Sequence, residues 1–190
     1  MVSRSGSCRI NLDYLLDRDD RVTKVCPHWS DFARQRMALR LDEEMVLGRS
    51  LWEFVQGGAT QRLYDALIHH ARKTGRKLTF NYRGDSPSAI RYMRMTLLPG
   101  YGGIVRFRSE LLHEQSRERS VYFTHTAYPH RPELMQCCLC HRLEYNGRWY
   151  TLDEAIRQTD AIDDLMPTEV GDTVCEGCKT RIEIATGVRL

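Results

Sequence analysis

Five short stretches within the first 110 residues carry alternating or β-branched hydrophobic residues, a pattern that predicts strands with one buried face. They cover residues 12–16, 21–26, 78–82, 93–97 and 105–107. Between the second and third stretches, apolar residues recur at helical spacing and predict a helix from Thr60 to Lys73. Thr60 is expected to cap this helix and Gly75 to end it. Short connections between successive strands favour an antiparallel sheet, so the pattern predicts an α+β fold.

Further signals are local. A short helix is expected from Trp29 to Arg36, and Asn146-Gly147 is a turn dipeptide that predicts a hairpin. Thr151-Leu152-Asp153-Glu154 has the sequence of a capping box and predicts a helix to Gln158. A terminal helix is expected from Glu176 to Ile184, whereas the polar residues 113–134 are expected to form a connector.

Two cysteine pairs are the most specific chemical signal in the chain. Cys137 and Cys140 form one Cys-x-x-Cys pair, and Cys175 and Cys178 form the other. Zinc needs four ligands at tetrahedral positions, and each pair can direct two sulfurs at one ion. The sequence therefore predicts a structural four-thiolate zinc site, whose closed shell leaves no position for catalysis. The 34 residues between the pairs indicate an inserted element, and Cys138 or His141 could replace one ligand.

Charge and hydropathy exclude several classes of protein. The net charge is +3, with 19 basic against 12 acidic residues in 1–110 and 9 against 13 in 111–190. No basic cluster is interleaved with aromatic residues, so no nucleic-acid partner is expected. No apolar run reaches the length of a membrane span, and the N-terminus lacks the apolar core of a secretory signal. A cytoplasmic protein with reduced thiols is therefore expected.

Residues 10–112 resemble a PAS domain. Two segments carry the resemblance, one before the long helix and one around the following hairpin. They are Gly48-Arg49-Ser50-Leu51-Trp52-Glu53-Phe54, and Asn81-Tyr82-Arg83-Gly84-Asp85-Ser86-Pro87 with Arg91-Tyr92-Met93-Arg94-Met95. Leu16-Asp17-Arg18-Asp19, entering a strand, also fits. A bacterial subgroup of the family has a cysteine in the hairpin turn where this chain has Gly84, so no thiol chemistry is expected there.

The PAS resemblance implies a five-stranded antiparallel sheet flanked by helices. It also implies either a pocket for a small ligand or cofactor, or a sheet face that forms a homodimer. The candidate pocket residues are Trp52, Phe54, Tyr64, His70, Phe80, Met93, Met95 and Phe107. The alternative is that these residues fill the core. Some PAS sensors hold haem through a histidine on the long helix, and His70 is the candidate for that role here.

Residues 135–185 resemble a cysteine module that follows sensory domains in bacterial signalling proteins. The matching segments are Met135-Gln136-Cys137-Cys138-Leu139-Cys140-His141, Gly147-Arg148-Trp149-Tyr150-Thr151-Leu152-Asp153 and Thr173-Val174-Cys175-Glu176-Gly177-Cys178. This chain departs from the module's pattern in an extra Gln136, in His141 for lysine and in Glu176 for proline. No departure removes a candidate ligand.

The four cysteines also fit other uses. Four thiolates also hold iron–sulfur clusters, and one Cys-x-x-Cys pair could act as a redox dithiol. Exposed thiolates could release zinc on oxidation, which would make the module a redox switch. Cys137-x-x-Cys140-His141 has the form of a covalent haem site, but haem is attached in this way outside the cytoplasm.

These observations together predict a non-enzymatic signalling protein. A PAS-like sensor or dimerisation domain at 10–112 would be followed by a connector and by a zinc module at 135–185 that presents a surface to a partner protein. No phosphate-binding glycine loop or nucleophile elbow is present in the sequence. No nucleic-acid or membrane partner is expected.

Overall fold

The computed structural model describes residues 11–30, 42–125, 132–159, 161–162 and 166–190. The helix expected from Trp29 to Arg36 lies outside these residues from position 31 onward. No helix in the described ranges is long and apolar enough to cross a membrane.

The first part of the chain forms a five-stranded antiparallel sheet, as the sequence predicts. The strands are β1 (Asn11–Leu16), β2 (Val22–Val25), β3 (Leu78–Arg83), β4 (Ala89–Pro99) and β5 (Val105–Ser116). Their order across the sheet is β2-β1-β5-β4-β3, which leaves β2 and β3 at the edges. β4 alternates buried and more exposed residues along most of its length, which is expected of a strand with one packed face.

Helices lie between β2 and β3 in the chain. They are α1 (Glu43–Val46), a 3-10 turn (Leu51–Glu53) and α2 (Gly58–Thr74), and a second 3-10 turn (Tyr101–Gly103) joins β4 to β5. α2 buries the apolar stripe that the sequence predicts, with Leu63, Leu67 and Ala71 almost inaccessible to solvent. Gly75 ends α2 in the left-handed conformation at φ +65°, as expected.

The start of α2 differs from the prediction. Gly57, and not Thr60, precedes the helix, and Thr60 is its third residue. The prediction failed because the side chain that caps this helix comes from Asp172, 112 residues further along the chain. A local capping pattern cannot reveal a cap of that kind.

The second part of the chain contains a mixed sheet and two helices. Its strands are β6 (Phe123–His125), β7 (Met135–Cys137), β8 (Leu143–Tyr145), β9 (Arg148–Tyr150) and β10 (Thr168–Thr173), in the order β6-β10-β7-β8-β9. The helices are α3 (Leu152–Gln158) and α4 (Glu176–Thr186). Two local predictions are confirmed. Asn146 and Gly147 turn the β8–β9 hairpin with positive φ, and Thr151 and Glu154 form the capping box of α3.

The first cysteine pair and α4 share a hydrophobic core with the first sheet, while the rest of the second sheet has a small core of its own. Leu139, Cys178 and Ile182 from the second part lie in the same buried cluster as Leu63 and Phe107 from the first. α4 packs against the edge strand β3, and α2 contacts β10. β5 continues to Ser116, and β6 lies within the expected connector. The division of the chain into units at 10–112, 113–134 and 135–185 stays a prediction. In the structure, the residues of the first unit pack against those of the third.

The shared core can be tested with two isoleucines on α4. Ile182 is 2% exposed and Ile184 is 80% exposed. Ile182→Ala should lower the free energy of unfolding of the whole chain by about 2–5 kcal/mol, because it opens a cavity between the two parts. Ile184→Ala, the matched control, should change it by less than about 0.5 kcal/mol. Urea unfolding followed by tryptophan fluorescence measures both, and an Ile182→Ala protein that unfolds like the control would contradict a shared core.

Candidate metal centre

The four sulfur atoms that the sequence singles out lie close together. The Sγ atoms of Cys137, Cys140, Cys175 and Cys178 are all within 4.8 Å of one another. The Sγ atoms of Cys140 and Cys175 are 3.8 Å apart. A tetrahedral ion with metal–sulfur bonds of about 2.3 Å separates its sulfurs by about 3.8 Å. All four cysteines are free thiols, so the cluster could hold a metal ion.

Parallel strand pairing explains how distant residues meet at this centre. β10 runs parallel to β7, with Thr173 opposite Cys137. The first cysteine pair begins at the end of β7, and the second follows β10 after one residue. Because the carboxyl ends of parallel strands lie at the same edge of a sheet, both pairs reach the same place. The intervening segment holds the β8–β9 hairpin and α3, which allow the chain to return in the parallel direction.

Backbone turns set the direction of each cysteine pair. The amide of His141 donates to the carbonyl of Cys137 over 2.9 Å, which closes the first turn, and His141 takes a left-handed conformation at φ 57°. In the second pair, Cys175 is the residue that precedes α4, and Cys178 lies in the first helical turn. The positive end of the helix dipole therefore favours a thiolate at this pair.

Nearby donors offset the negative charge of the sulfurs. The amide of Cys175 donates to Cys137 Sγ over 3.4 Å, and Arg181 Nη2 lies 2.7 Å from Cys178 Sγ. Four thiolates around a divalent cation carry a net charge of −2, so a guanidinium in contact with one sulfur is a stabilising partner. Arg181 follows Cys178 by less than one helical turn, which brings its side chain back to the sulfur.

The thiols strongly affect one another's protonation. Hydrogen bonds from Cys140 and Cys178 hold the pKa of Cys137 far below its usual range. Conversely, the hydrogen bond to Cys137 raises the pKa of Cys140 to about 11, and the bond to Cys137 also raises the pKa of Cys178. Sulfurs this close share protons unless a cation takes the place of those protons. Metal binding here is therefore expected to release protons and to weaken as the pH falls.

Neither of the two alternative ligands belongs to the cluster. Cys138 forms a hydrogen bond with the Thr60 side chain, and burial raises the pKa of the Cys138 thiol to about 12. His141 directs Nδ1 to within 3.4 Å of the Asp85 carboxylate. Both side chains instead connect the first cysteine turn to the first part of the chain.

The strands that carry the cysteines are fastened to the first sheet and to α2. Asp172, at the end of β10, accepts hydrogen bonds from the amide (2.8 Å) and the hydroxyl (3.2 Å) of Thr60. The carbonyl of Leu139, inside the first cysteine pair, accepts from the amide of Arg83 over 2.7 Å. Gly57 is needed beside Asp172, since a Cβ at position 57 would lie 2.3 Å from the carboxylate.

A buried ion cluster lies next to the first cysteine pair. The Asp85 side chain, 6% exposed, accepts from Arg83 and from Arg117 Nη2 at 2.6 Å, and from the amide of Arg91 at 3.0 Å. Burial alone would raise the pKa of Asp85, but hydrogen bonds from His141 and Arg83 and the charge of His141 hold it well below its usual range. Asp85 therefore stabilises the fold at neutral pH, and this contribution is lost progressively as the pH falls from the usual pKa of an aspartate, about 4, towards the lowered value.

Six of the eight candidate pocket residues lie in the core of the first sheet or pack against it: Phe80, Met95, Phe107, Trp52, Phe54 and Tyr64. Phe80, Met93, Met95 and Phe107 are buried, and the ring of Phe107 stacks between Tyr14 at 4.8 Å and Tyr64 at 5.8 Å. Trp52 and Phe54 are half-buried against the same core. His70 lies beside Gly187, after α4. Both the ligand pocket and the alternative in which these eight residues fill the core stay predictions.

A large open cleft lies elsewhere, between the edge strand β3 and the second part of the chain. Its volume is about 1270 Å³, and its lining includes Tyr82, Arg117, Cys138, Cys140, Asp172 and Cys175. Sequence reasoning missed this cleft, together with Asp85, Asp172 and Arg181. The cysteine spacing gave no signal for Asp85 and Asp172, because their roles depend on how the second part packs against the first. Arg181 follows Cys178 by three residues on a helix that the sequence predicts, so this spacing was a signal that could have found it.

Comparison with known proteins adds little to this description. The chain matches no protein-family model and no curated protein. Among solved structures it is similar to a domain of an HTR-like protein from Haloarcula marismortui ATCC 43049, at 15% sequence identity and a TM-score of 0.39. The match covers 54% of this chain and 98% of that one. A similarity of that strength assigns neither a family nor a function.

The long-range cap can be tested with the two glycines that flank α2. Gly57 and Gly75 both have positive φ, but only Gly57 would bring a Cβ against Asp172. Gly75→Ala should cost about 1 kcal/mol of unfolding free energy from backbone strain. Gly57→Ala should cost more than that, because the backbone at position 57 (φ 88°, ψ 130°) is almost restricted to glycine and because the new Cβ also displaces the capping carboxylate.

A double-mutant cycle supplies the control for this experiment. In an Asp172→Ala background the cost of Gly57→Ala should fall by about 1 kcal/mol, to the part due to backbone strain, while the cost of Gly75→Ala should stay the same. Thermal and urea unfolding of the full chain measure all the variants. A cost of Gly57→Ala that is the same with and without Asp172 would contradict the proposed role of the carboxylate.

Proposed function

We propose that this chain is a non-enzymatic sensory or signalling protein in which a structural zinc centre fastens a C-terminal module to a PAS-like domain. The observation that carries the proposal is the convergence of four cysteine sulfurs, at spacings suited to a tetrahedral ion, in the same core as the first sheet. The centre would therefore stabilise the whole chain, and its occupancy would affect the domain as well as the module.

The donor set favours zinc. Four thiolates suit a soft or borderline ion, and zinc holds such ligands in structural sites with no open coordination position. A closed shell argues for a role in folding and against metal catalysis. The second part of the chain has only a small core of its own, around Leu143, Leu152 and Val170, so a metal would supply stability that burial alone does not.

The sensory role rests on the PAS resemblance of residues 10–112, together with a five-stranded antiparallel sheet covered by a helix. In this proposal the PAS-like domain binds a small ligand or pairs with a second copy of the chain, and the module presents a surface to a partner protein. Thiolate ligands need a reducing compartment, which supports a cytoplasmic location. The sequence supplies no basic surface of the kind that nucleic-acid partners require.

Native mass spectrometry of the full chain tests the proposal in one experiment. The expected result is one zinc ion per chain, together with the subunit count and the mass of any bound small molecule. Removing the ion with a chelator should lower the midpoint of thermal unfolding of the whole chain, because the centre belongs to the shared core. A protein isolated without zinc, or with the brown colour of an iron–sulfur cluster, would contradict the zinc assignment.

Adjacent cysteines provide a matched pair of variants. Cys140→Ser should lose bound zinc and destabilise the chain, because it removes one of four ligands. Cys138→Ser should keep zinc at the wild-type level, because its side chain faces Thr60 and a serine hydroxyl can replace that hydrogen bond. Metal analysis of both proteins decides the ligand set, and loss of zinc from both alike would count against it.

A further inference from the structure

The four candidate ligands differ in their access to solvent. Cys137 is 0% exposed and Cys178 is 1% exposed, so protein atoms enclose both sulfurs. Cys140 and Cys175 are only partly buried, and both line the cleft of about 1270 Å³ between β3 and the second part of the chain. A small solute that enters this cleft therefore reaches Cys140 and Cys175 before it reaches the other two ligands.

The same two sulfurs are well placed to react with each other. They are 3.8 Å apart and come from different cysteine pairs, one after β7 and one after β10. A disulfide requires a sulfur–sulfur distance of about 2.05 Å, so they must approach by less than about 2 Å. Both are carried by turns at the ends of strands and not by strand interiors, so a movement of that size need not break the β7–β10 pairing.

We propose that Cys140 and Cys175 form the oxidation site of the centre, at which a peroxide joins the two sulfurs in a disulfide and the metal is released. This inference rests on the zinc centre proposed above and goes further, since it assigns a redox response to one pair of ligands. The cleft is the route of the oxidant.

The chemistry of this step balances with peroxide as the oxidant. The thiolate of one cysteine attacks a peroxide oxygen, the O–O bond breaks, and a sulfenic acid and hydroxide form. The thiolate of the second cysteine then attacks the sulfenic sulfur, the S–S bond forms, and a second hydroxide leaves. Two thiolates lose two electrons in total, and one hydrogen peroxide becomes two waters after two protons are taken up.

Oxidation would leave two thiolates, on Cys137 and Cys178, where four are needed. Two sulfurs do not complete the shell of a structural zinc ion, so one metal ion should be lost for each disulfide that forms. A thiol reductant would restore Cys140 and Cys175 and allow the metal to bind again, because a disulfide, unlike a sulfinic acid, is readily reversed.

The test uses the zinc-loaded full chain and hydrogen peroxide. Zinc release is followed with a chromogenic chelator, and disulfides are mapped by mass spectrometry of peptides after thiol alkylation under non-reducing conditions. We expect one zinc ion released for each Cys140–Cys175 disulfide, and rebinding after treatment with dithiothreitol. Cys138→Ser should respond like the wild type, because Cys138 shares the cleft but is not a ligand.

The two readouts separate this inference from the zinc proposal. A chain that contains no zinc before peroxide contradicts the zinc proposal, and the disulfide map then still shows whether Cys140 and Cys175 are the pair that forms. A zinc-containing chain that keeps its metal in peroxide overturns the oxidation site alone. So does a map that links other cysteines, or a Cys138→Ser protein that has lost the response.

Discussion

The convergence of four sulfur atoms at one point is the constraint on which the arrangement of the second half of the chain depends. It fixes the ends of β7 and β10 relative to each other, and with them the start of α4. The elements attached to this point are short, and most of their strands have only three residues. Elements of that length bury little apolar surface, so an ion bound by all four cysteines would contribute a large part of their stability.

Polar contacts connect the cysteine centre to the first half of the chain. Leu139 lies within the first cysteine pair, and His141 directly follows it. On the hairpin side of the first sheet, Leu139 contacts Arg83 and His141 contacts Asp85. On the other side, Asp172 holds the start of α2 just before the second cysteine pair begins. The four cysteines thus lie between contacts to β3 and contacts to α2.

Features set by neighbouring residues could be predicted from the sequence. The hairpin at Asn146-Gly147, the capping box at Thr151 and the end of α2 at Gly75 each depend on a few adjacent positions, and the structure confirms all three. The cap of α2 could not be predicted, because the local candidate, Thr60, only donates to a carboxylate from a distant strand. The cleft escaped prediction for the same reason, since its two walls come from separate parts of the chain.

The cap on α2 also has a consequence for the order in which the chain can fold as it is made. Thr60 and Asp172 are 112 positions apart, and ribosomes add about 5–20 residues per second. The first turn of α2 is therefore synthesised roughly 6–22 seconds before its partner exists. During that interval the amide of Thr60 must be satisfied by water, so the early domain reaches its final form only when the late strand arrives.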